Sequence, residues 1–131
     1  VMARDRDGRR RSERAGRLAE IICAVYLRLR GYGILSRNFR GPSGEIDIIA
    51  YRNKTVVFAE IKLRQTLADA LESLGPDQRR RIAKTAEMFL ASQPQYADEN
   101  ARFDVILVVP WRLPVHIANA WHIYIANAWH I

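Results

Sequence analysis

The chain has 131 residues, 49% of them hydrophobic and 27% charged. That is the size and composition of one globular domain with its own core. A lone cysteine, Cys23, excludes an intramolecular disulfide. No apolar run reaches the roughly 18 residues that a membrane helix needs. Twenty-one Lys and Arg against fourteen Asp and Glu give a net charge of +7. This balance favours an anionic partner, nucleic acid before an acidic membrane surface. The charged N-terminus lacks the apolar segment of a signal peptide, so a cytoplasmic location and no membrane association are expected.

Arg4, Arg6, Arg9, Arg10, Arg11, Arg14 and Arg17 crowd the first seventeen residues. Residues 1–11 read as a basic flexible arm able to add phosphate affinity without sequence specificity. Ser12 is placed to cap a helix that runs to about Arg30, with Gly31 at its end. Leu18, Ile22, Val25 and Leu29 form its apolar stripe, widened by Ala19, Cys23 and Tyr26, with Leu27 opposite. Cys23 reads as a small core residue. Glu20 falls away from the stripe, beside Ala24 and Leu27, as a solvated helix acid would.

Residues 33–40 read as a first strand, and Gly41-Pro42-Ser43-Gly44 as a turn. Strands over 45–51 and 54–63 follow, joined at Arg52-Asn53 as an antiparallel hairpin. A short helical turn is expected within 66–75. Gly75-Pro76-Asp77 opens a helix to Ser92, with Ile82, Ala86, Phe89 and Leu90 inward. A polar loop over 93–101 leads to a strand from Arg102 to Val109, closed by Pro110. The tail carries Ile117–Ile123 twice, the second copy being Ile125–Ile131. Two copies are too few for a solenoid. The main domain is therefore set at 12–123, and 124–131 reads as a duplicated tail outside it or as an apolar end that pairs with a neighbouring chain. Helix, three strands, helix and strand make an α/β domain with a mixed sheet between helices.

The chemistry is concentrated in the hairpin. Asp47 interrupts Ile46-Asp47-Ile48-Ile49-Ala50, and Glu60 and Lys62 interrupt Val56-Val57-Phe58-Ala59-Glu60-Ile61-Lys62-Leu63. A charge in an apolar strand is costly to bury unless it is paired or binds a metal. Alternation puts Glu60 and Lys62 on one face, with Arg64 next along it, and Glu45 beside Asp47 on the other strand. With Arg52 and Asn53 as the turn, Asp47 lies diagonal to Glu60 and Glu45 lies opposite it. Asp47…Glu60-x-Lys62 is the pattern of a nuclease metal site. Its hard oxygen ligands suit Mg²⁺ or Mn²⁺. Such an ion would hold a scissile phosphate and make a bound water more acidic. Lys62 could orient that water or stabilise charge, and Arg64 could grip a flanking phosphate. The competing reading is a buried Glu60–Lys62 ion pair that only holds the hairpin. Arg102-Phe103-Asp104 reads as an ion pair at a strand edge. His116, His122 and His130 do not have the setting of a zinc site.

Gly44-Glu45-Ile46-Asp47-Ile48-Ile49-Ala50 followed by Phe58-Ala59-Glu60-Ile61-Lys62-Leu63-Arg64 resembles the bacterial YraN-like proteins. The resemblance extends to Gly16-x-x-Ala19-Glu20, Arg37-Asn38 and Arg102-Phe103-Asp104-Val105, about residues 14–123. These proteins are uncharacterised and are placed in the restriction-endonuclease-like, PD-(D/E)xK nuclease superfamily. The resemblance implies a restriction-endonuclease-like core and a Mg²⁺- or Mn²⁺-dependent nuclease. Asp47 and Glu60 would be metal ligands, with Glu20 and Glu45 as further candidates, and Lys62 the catalytic lysine. Gln78 matches a glutamine of RecB-like relatives. Ile46 replaces the usual proline before the aspartate, and Ala59 the usual valine. DNA is the expected substrate, branched or single-stranded forms included. Arg64, Arg79, Arg80, Arg81 and Lys84 are the candidate backbone contacts. Branched-DNA resolvases of the superfamily act as symmetric dimers, which leaves a homodimer open. The alternative function is a nucleic-acid-binding module that keeps the fold without catalysis.

Overall fold

A computed structural model describes residues 2–121, with side chains from residue 13 onward. Helix α1 (Met2–Leu29) is followed by strands β1 (Gly33–Gly41), β2 (Gly44–Arg52) and β3 (Thr55–Leu63). Helices α2 (Leu67–Glu72) and α3 (Pro76–Ala91), a 3-10 turn (Pro94–Tyr96), and strands β4 (Asn100–Val108) and β5 (Val115–Trp121) follow among the described residues. The five strands lie in chain order in one sheet. β3 and β4 run parallel, and every other neighbouring pair is antiparallel. A parallel pair needs a crossover, and α2 and α3 supply it. This mixed sheet flanked by helices is the α/β arrangement expected of a restriction-endonuclease-like core. No helix among the described residues is long and apolar enough to cross a membrane.

Two cores sandwich the sheet. On the α3 side, Ile82, Ala86, Phe89 and Leu90 pack on Ile46, Ile49, Phe58 and Phe103, as the α3 stripe predicts. On the other side, Ala19, Cys23, Ala24 and Leu27 of α1 pack on Ile48, Ala50, Val57 and Ile106. The roll of α1 differs from the expectation. Leu18, Ile21, Ile22, Val25 and Leu29 face outward, Leu29 with 82% of its surface exposed. The helix carries two apolar faces, and the sheet takes the one with small residues, which lets the helix approach closely. That roll also buries Glu20 where Arg37 and Asn38 of β1 meet its carboxylate, so Glu20 is not a solvated acid. The helix starts at Met2, not Ser12, since Ala3, Arg4, Arg6, Arg9, Arg10 and Arg11 favour helix.

The β2–β3 turn is Asn53-Lys54, both at positive φ (50° and 58°), and not Arg52-Asn53. Two such residues make the turn whose twist suits a hairpin. Arg52 then pairs with Thr55, and the ladder runs to Ile48 opposite Ala59. One step further sets Asp47, not Glu45, across from Glu60.

β4 is an interior strand, so Arg102 and Asp104 do not sit at a sheet edge. Asp104 is fully buried and accepts two bonds from Arg102 (2.9 Å each), one contact from His116 Nε2 (2.6 Å) and the Asn119 N–H (2.8 Å). Burial alone would raise its pKa, but the bonds from His116, Arg102 and Asn119 outweigh burial and lower it. This network fixes β5 to β4. The first copy of the repeated segment thus supplies β5 up to Trp121. The second copy, 125–131, lies outside the described residues, as do the side chains of the basic arm.

Candidate metal and phosphodiester site

Strand alternation slips at Asp47. Ile46 packs in the α3-side core and Ile48, two residues on, in the α1-side core. A regular strand would place both on one face. The β2–β3 ladder also ends beside this point, at Ile48 opposite Ala59. The Asp47 Oδ2 accepts the Ile61 N–H at 2.8 Å, in place of a ladder bond. The carboxylate therefore sits in the fork of two parting strands.

Glu60 lies beside it, 7% exposed. Burial first, then a hydrogen bond to the Asp47 carboxyl and repulsion from its charge, push the Glu60 carboxyl from the usual 4.5 to about 9. Lys62 pulls the other way and Glu45 adds a little repulsion. Gln78 of α3 links the members: its Nε2 donates to Glu60 Oε2 at 2.8 Å, and Lys62 Nζ donates to its Oε1 at 3.4 Å. Glu60 and Lys62 are thus bridged by an amide, and no direct ion pair between them is found among the described residues. A cleft of about 450 Å³ opens over Glu45, Asp47, Glu60, Lys62, Gln78 and Arg81.

Asp47 and Ile61 also line a second cleft of about 520 Å³, walled by Arg17, Ala19, Glu20, Asn38, Arg40 and Leu63. Here Glu20 Oε1 accepts from Arg37 Nε at 2.7 Å and its Oε2 from Asn38 Nδ2 at 2.6 Å. Asn38 reaches it from a left-handed backbone (φ 55°), which Asn tolerates better than most residues. Both Glu20 oxygens are thereby engaged. Cys23 lies close by, and burial, then the charges of Asp47 and Glu20, push its thiol up to about 12. It is the inert core residue expected.

The structure therefore brings Asp47, Glu60, Lys62 and Gln78 together, with Glu20 one cleft away. Glu45 is not opposite Glu60. It pairs with Arg40 of β1, with an exposed ion pair at 3.6 Å. Among the candidate backbone contacts, only Arg81 lines the cleft. Arg79 caps the Leu74 carbonyl, Arg80 pairs with Asp77, and Lys84 is exposed further along α3. Successive helix residues turn by about 100°, so a basic run cannot present every member to one cleft. Arg64 donates to the carbonyl of Leu63 and borders a different depression, with Gln65 and Asp69. Arg17 and Arg40 went unpredicted. The available signal was the spacing of Arg17, three residues before Glu20 and so on the same helix face.

Residues 19–108 match the family described as Uncharacterised protein family UPF0102. The chain belongs to this family. A UPF0102 protein of Paramagnetospirillum magneticum, amb4503, is 47% identical over 116 residues, covering 86% of this chain and 90% of that protein. One from Methylocella silvestris is 47% identical over 117 residues, covering 89% and 94%. A third, mlr4633 of Mesorhizobium japonicum, is 43% identical over 114 residues, covering 87% and 91%. The UPF0102 match bears out the YraN-like resemblance, and its span contains Glu20, Asp47, Glu60, Lys62, Gln78 and Arg81, with Arg17 just before it.

The donor set fits Mg²⁺ or Mn²⁺ better than zinc. Two converging carboxylates in a cleft must share a proton unless a cation neutralises them. No group of three or more His, Cys, Asp or Glu side chains placed to hold an ion is found among the described residues. A small hard cation is often held by one or two carboxylates, the rest of its shell being water and substrate phosphate.

Proposed function

We propose that this UPF0102 protein is a Mg²⁺- or Mn²⁺-dependent nuclease that hydrolyses DNA phosphodiester bonds. The observation that carries this reading is the meeting of Asp47 and Glu60 in the strand fork, beside Lys62. Two carboxylates forced together without a cation cost stability, and such strain is commonest at functional sites. When bound there, the ion would polarise the scissile phosphate and make a water more acidic. Asp47 and Glu60 would hold it. Gln78 fixes the Glu60 carboxylate at the cleft by its 2.8 Å bond. The same amide holds Lys62 Nζ, whose positive charge and protons can stabilise negative charge that develops on the phosphate oxygens. Arg81 at the rim can take a phosphate flanking the reacting one.

The direct test is incubation of purified protein with duplex, single-stranded and branched DNA and either metal. Metal-dependent cleavage is expected. Intact substrates throughout, with salt-sensitive binding retained, would leave a non-catalytic binding module. Lys62→Ala is expected to lower the cleavage rate by about 10²-fold, the cost of one transition-state donor, while Mn²⁺ affinity stays the same. An equal fall in Mn²⁺ affinity would make Lys62 a support for the carboxylates instead.

A further inference from the structure

The nuclease reading uses the α3-side cleft and leaves the second one without a task. The two meet at Asp47 and Ile61, which line both. We propose that they form one trough that seats a nucleic-acid strand by its phosphates, with Arg17 gripping on the α1 side of Asp47 and Arg81 on the α3 side. This rests on the nuclease reading, because Asp47 marks the reacting phosphate.

Electrostatics require grips on both sides. The centre of the trough holds Asp47 and Glu45, whose charges repel a phosphate strand in the absence of a cation, with Lys62 beside them. Cations must then flank it to keep the strand across the centre. On the α1 side the charges are Glu13, Arg17, Glu20, Arg40 and Asp47. Glu20 is neutralised by Arg37 and bonded to Asn38, so it does not cancel Arg17. Among the described residues Arg40 pairs with Glu45 at 3.6 Å, with 79% of its side chain exposed. A surface pair of that kind is weak and can be exchanged for a phosphate. The space beside Gly16 on the cleft wall is open, since a Cβ there would meet nothing within 4 Å. Ala19 and Leu63 add small and aliphatic surface suited to sugars. Guanidinium groups beside such surface hold the backbone and leave sequence unread.

Each phosphate grip sets part of the salt dependence of binding, about 0.9 in the slope of log K against log salt on a duplex. The experiment is fluorescence anisotropy of a short labelled DNA duplex in EDTA, over about 50 to 200 mM salt, where phosphate contacts dominate binding. Arg17→Ala and Arg81→Ala should each lower the slope by about 0.9, and the double variant by about twice that. Arg28→Ala, an exposed arginine near the far end of α1, should leave it unchanged. The trough is overturned if wild type fails to bind, if Arg17→Ala matches wild type, or if Arg28→Ala loses as much as Arg17→Ala. Cleavage with Mn²⁺, measured in parallel, separates the two claims. Cleavage by wild type with an unchanged Arg17→Ala slope defeats the trough and spares the nuclease. Falling slopes without any cleavage support the trough and defeat the nuclease.

Discussion

Glu60→Gln should reduce cleavage by about 10³-fold and at the same time make the metal-free protein more stable near pH 8. The two effects share one cause. The glutamine amide is nearly isosteric with the carboxyl, can keep the contact with Gln78, and can donate to Asp47 as a protonated carboxyl does. It cannot supply an anionic ligand. In the wild-type protein the Glu60 pKa is raised by folding, from 4.5 to about 9. A raised folded pKa gives stability that is fully present below 4.5 and is lost as pH rises through about 9. The metal-free wild type should therefore weaken across that window, while Glu60→Gln stays flatter. Thermal melts in EDTA at several pH values, beside a cleavage assay, check both halves. A variant that is inactive and also less stable at pH 8 would make Glu60 a structural member of a hairpin-holding pair.

Asp104→Ala should cost about 3 kcal/mol, at the low end of the range for breaking a buried pair. Its carboxylate has no exposure and gathers Arg102, His116 and the Asn119 N–H. Removing it leaves three donors facing a void. Arg102 keeps 27% of its side chain in water and can partly rehydrate, which sets the low end. Because Asp104 is held below its usual 3.8, its contribution is present above that pH and is lost as pH falls through the lowered value. Urea denaturation at neutral pH should show a lower midpoint with an unchanged slope. A loss below about 1 kcal/mol, the size of one ordinary hydrogen bond, would mean that the network does not hold β5.

Much of the site was legible because the costs involved are local. Asp47, Glu60 and Lys62 stand out as charges in strands that otherwise have no reason to be polar, and Gln78 shares a helix face with Ile82. What stayed hidden depends on distant partners. The roll of α1 could not be read from its period, since Leu18-Ile22-Val25-Leu29 and Ala19-Cys23-Ala24-Leu27 are both apolar faces. Arg37 and Asn38, some seventeen residues away, help decide it through Glu20. The hairpin register turned on a single residue, Lys54, accepting positive φ. That moved Asp47 across from Glu60, while Glu45 meets Arg40 through the separate β1–β2 turn. Arg17 was merged with the basic arm because its cleft exists only once β1 and β3 flank α1. Asp104 looked like an edge residue because nothing local announces that β5 will cover β4.

The most direct measurement is a calorimetric titration of Mn²⁺ into wild type and Asp47→Asn, with cleavage of a DNA panel followed alongside. If Asp47 holds the metal, saturable Mn²⁺ binding and cleavage are expected in the wild type, and loss of both in the variant. Absence of Mn²⁺ binding in the wild type, or cleavage that survives Asp47→Asn, would contradict that role.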